Sequence, residues 1–167
     1  MTQATSSRAD NRMAPIIRAV NIYLACTVRG DRRAVLALRT LAEDLERAGH
    51  TVLTRHLLEP DVDAAESALS DREVFERDMR WLTAADVVIA DASGSSYGVG
   101  FEVGYVLGLS AHSPKQVLVV YHEARRDHVS RLITGNSHTN CTTYAYRDTE
   151  SLISAVSGFL FQLAIHT

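Results

Sequence analysis

Two carboxylates occupy positions where helical periodicity would place apolar residues. On a helix expected over Asp71 to Ala84, at about 100° per residue, Val74, Phe75, Trp81 and Leu82 form one stripe with Asp78 at its centre. The next expected helix repeats the pattern: Glu102 is flanked by Val99, Tyr105, Val106 and Leu109 and stands in the first turn after Gly98-Val99-Gly100. Burying a carboxylate costs several kcal/mol unless it is paired or hydrogen-bonded, so each position requires a partner or a task. For Asp78 the structural alternative is an ion pair with Arg18 or Arg32. For Glu102 it is a simple acid at a helix start, where partial positive charge and unpaired N–H groups keep a carboxylate ionised and available as a nucleophile. Two such acids on consecutive helices suit cleavage of a glycosidic bond through an oxocarbenium-like transition state, one attacking and the other handling protons. A carboxyl separation of about 5 to 5.5 Å would give a covalent glycosyl-enzyme, and a wider gap direct attack by water. Gly100, Gly104 and Gly108 leave a strip without side chains on the second helix. Its first reading is close packing against a sheet or another helix, its second a subunit contact.

The elements that must position these acids alternate along the chain. Ala19 to Ala25 is a β-rich run that ends in the polar loop Cys26-Thr27-Val28-Arg29-Gly30-Asp31. Ala34, Val35, Leu36, Leu38, Leu41, Ala42 and Leu45 then recur at helical spacing, and Gly49 follows as a C-terminal cap. Thr51 to Thr54 predicts a second strand, and Glu59 to Leu69 a loop with a short helix. Ser70-Asp71-Arg72-Glu73 has the form of a capping box at the start of the Asp71 to Ala84 helix. Asp86 to Asp91 reads as a strand covered on both faces, and the loop Ala92 to Tyr97 feeds a helix from Val99 to Ala111. Gln116 to Tyr121 is a fourth strand, Asp127 to Ile133 a short helix, Thr142 to Tyr146 a fifth strand and Asp148 to Ala164 a terminal helix. Such alternation predicts a single α/β domain, a doubly wound five-stranded parallel sheet of flavodoxin or Rossmann type with helices on both faces. Ligands of such sheets bind outside the carboxyl ends of the strands, where the loops 26–31 and 92–98 fall.

Composition narrows the partners. The 167 residues carry 17 Lys and Arg against 20 Asp and Glu, a formal net charge of −3, so no excess of positive charge is present to hold nucleic acid. With 46% apolar and 22% charged residues the balance is that of a globular domain. No apolar run approaches the roughly 20 residues that cross a bilayer, so no membrane partner is expected. Residues 1–18 are polar, lack the apolar stretch of a secretory signal and are expected to form a mobile N-terminal tail ahead of a catalytic domain at 19–167. Cys26 and Cys141 have no paired spacing, which fits a reduced, cytoplasmic protein and neither a disulfide framework nor a zinc site.

Four segments in order resemble the 2'-deoxynucleoside 5'-phosphate N-hydrolases, a branch of the nucleoside 2-deoxyribosyltransferase superfamily. They are Tyr23-Leu24-Ala25-Cys26-Thr27-Val28-Arg29-Gly30, then Val52-Leu53-Thr54-Arg55-His56, then Asp78 through Val88, then Ser96-Tyr97-Gly98-Val99-Gly100-Phe101-Glu102-Val103-Gly104. The resemblance implies an enzyme that splits the N-glycosidic bond of a nucleoside 5'-monophosphate, releasing free base and sugar 5-phosphate, with no metal or organic cofactor. It implies Glu102 as nucleophile, Asp78 as the group that orients the sugar and donates a proton to the departing base, and Tyr23 as a residue that places Glu102. His56 would line the base side. Thr27, Val28, Arg29 and Gly30, with Ser96, Gly98 and Gly100, would surround the sugar and the 5'-phosphate, the phosphate held by Thr27, Arg29, the Gly30 N–H and Ser96. Ser130 would add a hydroxyl from the partner subunit of a homodimer. The residue types agree independently, since a phosphate is held by backbone N–H groups, hydroxyls and a guanidinium fork.

The chain also departs from the family's first loop, which usually reads C-G-S-I-R-G-G-R: Cys26 replaces a glycine, Thr27 a serine and Asp31 a second glycine. Cys26 adds bulk beside the sugar or base, and Asp31 adds negative charge near the phosphate loop. Related hydrolases act on the ribonucleotide CMP, so deoxyribose and ribose both stay open. Two other functions compete: transfer of the deoxyribosyl group to a second base, and nucleotide binding without turnover.

Overall fold

The computed structural model describes residues 18–165. The expected tail at 1–18 therefore lies, but for Arg18, outside the described residues. Five strands, β1 (Asn21–Ala25), β2 (Thr51–Val52), β3 (Val87–Asp91), β4 (Gln116–His122) and β5 (Cys141–Tyr146), form one sheet in the order β2-β1-β3-β4-β5. Every pairing is parallel, as predicted. The helices are α1 (Val35–Arg47), α2 (Val62–Ser67), α3 (Asp71–Ala84), α4 (Tyr97–Gly108), α5 (Arg131–Thr134) and α6 (Thr149–Ile165), with 3-10 turns at Arg55–Leu58 and Glu123–His128.

Strand parity divides the core. Ile22, Leu24, Val87, Ile89, Leu118 and Val120 point to one face, where Leu38, Leu41 and Leu45 of α1 and Leu152, Val156 and Leu160 of α6 cover them. Tyr23, Ala25, Val88, Ala90, Val117, Val119 and Tyr121 point to the other, under Leu82 of α3 and Val99, Val103 and Val106 of α4. All five residues of β3 are buried, which explains its uninterrupted apolar run. The chain leaves β1 toward β2 on one side and returns to β3 on the other, so a crevice opens at the carboxyl ends of β1 and β3.

Helix α3 matches its expected bounds, and its capping box is formed: the Glu73 N–H donates to Ser70 Oγ and the Ser70 N–H to Glu73 Oε2 at 2.8 Å. Other boundaries move for identifiable reasons. β2 ends at Val52 because Thr54 Oγ1 accepts from the Leu24 N–H at 3.0 Å and donates to the Leu24 carbonyl at 2.7 Å, replacing the backbone ladder with a side chain. The chain then turns at once into the Arg55–Leu58 turn, ahead of the helix expected between 59 and 69. The single helix expected over 127–133 is split, since Ser130 is extended and caps α5 by accepting from the Leu132 N–H. Helix α4 begins at Tyr97, not Val99, because Ser96 Oγ accepts from the Val99 N–H and both Gly98 and Gly100 stay helical.

Two stripe readings are corrected. On α3 only Leu82 is buried and Phe75 is 54% exposed, so Asp78 sits at a half-covered edge and not in the core. On α4 the residues Val99, Val103 and Val106 meet the sheet, which leaves Gly100, Gly104 and Gly108 facing outward with nothing within 4 Å of an added Cβ. The strip therefore packs against no other part of the described residues.

Because the α3 cap is local, its loss should register as stability alone. Ser70→Ala should cost about 1 kcal/mol, read as a lower urea midpoint with an unchanged denaturant slope, and Ser70→Asp should recover most of it.

Candidate active site

A cavity of about 310 Å³ opens in that crevice. Cys26, Val28 and Arg29 come to its wall from the loop after β1, Ser96, Gly98, Val99 and Glu102 from the start of α4, and Asp78 from α3. Leu57, Glu66, Leu69, Asp71 and Val74 complete it. Both acids singled out in the sequence thus face one space, and the charge of Asp78 is felt at Glu102.

Glu102 lies in the second turn of α4, since the helix starts two residues earlier than expected, and no acid occupies its first turn. The helix terminus is therefore not what sets its charge. Burial, reinforced by the negative Asp78, pushes its carboxyl up to about 7, against the hydrogen bond that Tyr23 donates to Glu102 Oε1 at 2.5 Å. Tyr23 is fully buried on β1, and burial, with the adjacent Glu102, pushes its phenol far above the ordinary tyrosine range. The phenol keeps its proton and acts only as donor. A carboxyl poised near neutrality and aimed by a fixed donor can either attack as the anion or carry a proton.

Asp78 pairs with its sequence neighbour Arg77, at 2.8 Å from Nη2 to Oδ1, and with neither Arg18 nor Arg32. Arg32 instead donates to the carbonyls of Thr27, Leu57 and Glu59, tying the loop after β1 to the Arg55–Leu58 turn. Burial raises the Asp78 carboxyl and Arg77 opposes the rise. Arg77 also forks onto Glu66, at 2.7 Å to Oε1 and 3.1 Å to Oε2, and lies over the Trp81 ring. His56 lies against the same ring at a tilt of 53°, with Nε2 3.3 Å from Glu66 Oε1. Burial and the Arg77 charge lower its pKa, so it is neutral at pH 7. Glu66, half of this clamp, and Arg77 were not visible as site residues in the sequence. The adjacency of an arginine to Asp78 was the one available signal.

The loop after β1 is built on Thr27, which is buried with Oγ1 accepting from the Gly30 N–H at 2.8 Å. A Cβ at Gly30 would lie 2.5 Å from that hydroxyl, and one at Gly94 2.4 Å from Thr27 Cγ2, so two glycines admit the threonine between the two loops. Thr27 and Gly30 shape the wall from beneath, while Val28 and Arg29 present themselves at it. The Arg29 side chain is 75% exposed, its Nε 3.6 Å from Asp63 Oδ1. Ser95 holds the other loop with φ of 53° and a hydroxyl donated to the His128 carbonyl at 2.7 Å. The Cys26 thiol, pushed up to about 12 by burial, meets the cavity as bulk, as the departure from glycine predicts. Asp31 does not add free charge beside the phosphate loop: Arg33 hydrogen-bonds it, Arg125 stands 3.4 Å away, and its carboxyl is held well below the usual range.

Six expected residues are not on this wall: Tyr23 stands behind Glu102, Thr27 and Gly30 lie beneath with the Gly30 N–H given to Thr27, and His56, Gly100 and Ser130 lie elsewhere. His56 stands behind Glu66. Gly100 and Ser130 line a second space of about 580 Å³ between α4 and α5, and the Ser130 hydroxyl caps α5 of its own chain. Among the described residues no group of three or more His, Cys, Asp or Glu side chains is placed to hold a metal ion.

Comparison with known proteins points the same way. The family model described as nucleoside 2-deoxyribosyltransferase matches residues 22–151. A Thermofilum pendens protein named "Putative 2'-deoxynucleoside 5'-phosphate N-hydrolase 1" is 38% identical over 84% of this chain and 95% of its own length. The 5-hydroxymethyl-dUMP N-hydrolase of Danio rerio is 31% identical over 71% of this chain and 80% of its own. The solved CMP N-glycosidase of Clostridium botulinum has the same fold, with a TM-score of 0.61 at 16% identity over 83% of this chain and 98% of that one.

Because the Glu102 carboxyl is raised in the folded protein, the native state binds a proton more tightly than the unfolded chain, and stability falls as pH rises between the ordinary glutamate range and about 7. Glu102→Gln should therefore melt at a higher temperature than the parent at pH 8, with the difference shrinking toward pH 5. Tyr23→Phe should move the Glu102 titration, followed by carboxyl carbon NMR, further upward.

Proposed function

The chain belongs to the nucleoside 2-deoxyribosyltransferase family, and from that premise we propose that it is an N-glycosidase that hydrolyses the base-sugar bond of nucleoside 5'-monophosphates to free base and sugar 5-phosphate. The observation that carries the reading is the pair Glu102 and Asp78 on one cavity, with Tyr23 donating to Glu102. The N-hydrolase names of the relatives support it.

In this reading the Glu102 anion attacks the anomeric carbon as the bond to the base breaks, and water then releases the sugar from the glycosyl ester. Asp78, whose carboxyl burial raises, orients the sugar, gives its proton to the departing base and takes one back from the water that opens the ester. Arg77 fixes that carboxyl from behind. Arg29 and Ser96 at the cavity mouth hold the 5'-phosphate, with Thr27 and Gly30 setting the loop that carries Arg29. The catalytic unit is residues 19–167 and no metal or organic cofactor takes part.

The working form is a homodimer in this reading. Gly100, Gly104 and Gly108 lie open, and Phe75, Phe101 and Tyr105 form an exposed aromatic run with ring centroids 6.4 and 5.9 Å apart. A second copy seated there would cover it and bring its Ser130 toward the neighbouring phosphate site. Among the described residues no helix is long and apolar enough to cross a membrane, and a cytoplasmic setting fits the two free thiols.

Release of free base from nucleotides and nucleosides, followed by chromatography, tests the reading. Deoxynucleoside 5'-monophosphates should be cleaved at least about a hundredfold more efficiently than the matching nucleosides, since charge-assisted hydrogen bonds to phosphate contribute about 1.5 to 3 kcal/mol each. Arg29→Ala should narrow that ratio by weakening only the phosphorylated substrate. Glu102→Gln should lower kcat by far more than tenfold, and a variant keeping over about a tenth of the parent kcat, a loss under roughly 1.4 kcal/mol, is not missing its nucleophile. A new nucleoside formed when a second base is supplied would instead mark a transferase.

A further inference from the structure

We propose that Glu66 reads an exocyclic amino group on the departing base, so that nucleotides of amino-bearing bases are cleaved in preference to those of uracil and thymine. The inference rests on the N-hydrolase reading above and concerns the same cavity.

The wall splits by chemistry. In that reading Arg29 and Ser96 take the phosphate and Glu102 and Asp78 the sugar, which leaves nine wall residues to surround the base. Apart from the buried Cys26 thiol, the polar side chains among those nine are the carboxylates of Glu66 and Asp71. The nearest guanidinium is committed behind the wall: Arg77, with a side chain 15% exposed, gives Nη1 and Nη2 to Glu66 and Nε to Asp78, while His56 Nε2 faces Glu66 Oε1 at 3.3 Å outside hydrogen-bond geometry. Neither is a wall residue.

Glu66 is the ordered member of the set. Its side chain is 9% exposed and is held at two points by one guanidinium, so its direction is fixed before substrate arrives. Burial alone would raise its carboxyl, but the hydrogen bonds and charge of Arg77, with His56, outweigh burial and keep it below the ordinary glutamate value. At neutral pH it is an acceptor with no proton to give. Each oxygen already takes one N–H from Arg77, and Oε1 also faces His56 Nε2 at 3.3 Å, so Oε2 is the oxygen with a lone pair left for the base. The amino group of cytosine, adenine or guanine offers two N–H donors to such an oxygen. Uracil and thymine offer one N–H flanked by two carbonyls, so a carboxylate that meets it also meets carbonyl oxygen, and a buried acceptor is left without its donor. This preference would set the chain apart from the relatives named for 5-hydroxymethyl-dUMP.

The test is kcat/KM for the 5'-monophosphates of deoxycytidine, deoxyadenosine, deoxyguanosine, deoxyuridine and thymidine, in the full chain and in Glu66→Gln and Glu66→Asp. At least one amino-bearing substrate should exceed both deoxyuridine and thymidine monophosphates by more than about tenfold. Glu66→Gln, which adds an N–H donor at the same place, should collapse that ratio toward unity, and Glu66→Asp, which keeps the charge, should retain the direction of preference at a lower rate. Ratios taken within one variant do not depend on how much of it is folded, and the parent panel alone decides the preference if Glu66→Gln fails to fold. Equal cleavage of all five by the parent overturns the amino-group proposal and leaves the hydrolase reading standing. An unchanged ratio in a folded Glu66→Gln removes Glu66 from the role. No cleavage of any nucleotide, deoxy or ribo, overturns the hydrolase reading itself.

Discussion

The site depends on one hydrogen bond, from the Tyr23 phenol to Glu102. A carboxyl taken from water into the face of a sheet loses several kcal/mol of solvation, and without a donor it would exist only as the neutral acid. Tyr23 can serve because strand parity turns residues 23 and 25 of β1 toward α4, while 22 and 24 face α1 and α6. A one-residue shift in β1 would exchange the faces and send the phenol to the wrong side. On the other side of the bond the helical phase matters, and Ser96 sets it by capping α4 where it does. Strand register and helix cap together place two atoms 2.5 Å apart from positions 79 residues distant in sequence.

The two loops that frame the cavity are joined as firmly as the two acids. Thr27 fills a space that only glycine at 30 and 94 leaves open. Arg125, from the turn after β4, donates Nε to the Ser93 carbonyl at 3.3 Å and approaches Asp31 at 3.4 Å, so one guanidinium spans both loops away from the cavity wall. Asp31, which in sequence looks like a charge misplaced in this loop, is thereby part of a brace, and Arg29 is the loop's charged residue on the cavity wall. Ser93 continues the brace inward, donating to the buried Asp91 at 2.6 Å and accepting from the His122 N–H at 2.8 Å.

What the sequence made legible was whatever local physics determines. The α3 boundaries follow from a capping box four residues long, and the buried β3 from a run of apolar residues; alternation of the elements gave the parallel sheet, and Glu102 and Asp78 stood out because a charge on an apolar stripe is costly. The start of α4 was misjudged because Gly98 was left outside the helix, yet the serine cap before it decides. β2 was shortened by a threonine side chain acting as backbone, which no periodicity reveals. The ion-pair alternative for Asp78 named Arg18 or Arg32, whereas its partner is the preceding residue, Arg77, whose guanidinium lies between Asp78 and Glu66. Glu66 itself sits on a helix of 6 residues with no motif, and only the tertiary fold brings it to the cavity.

An acid-rich cavity is at first sight a poor receptor for a dianion. Glu66, Asp71, Asp78 and Glu102 face it against Arg29 alone among wall cations. The imbalance is reasonable if the site is complementary to the transition state more than to the ground state. In the proposed reaction positive charge grows on the sugar ring between Glu102 and Asp78 as the glycosidic bond lengthens, and in a half-buried space carboxyl oxygens stabilise it far more than water-exposed ones would. A Glu102 carboxyl near 7 softens the opposite problem, since a fraction of molecules can admit the phosphate with that group neutral and ionise it afterward. In the proposed binding mode the exposed Arg29 holds the phosphate at the rim, and that binding energy goes into placing the anomeric carbon against Glu102.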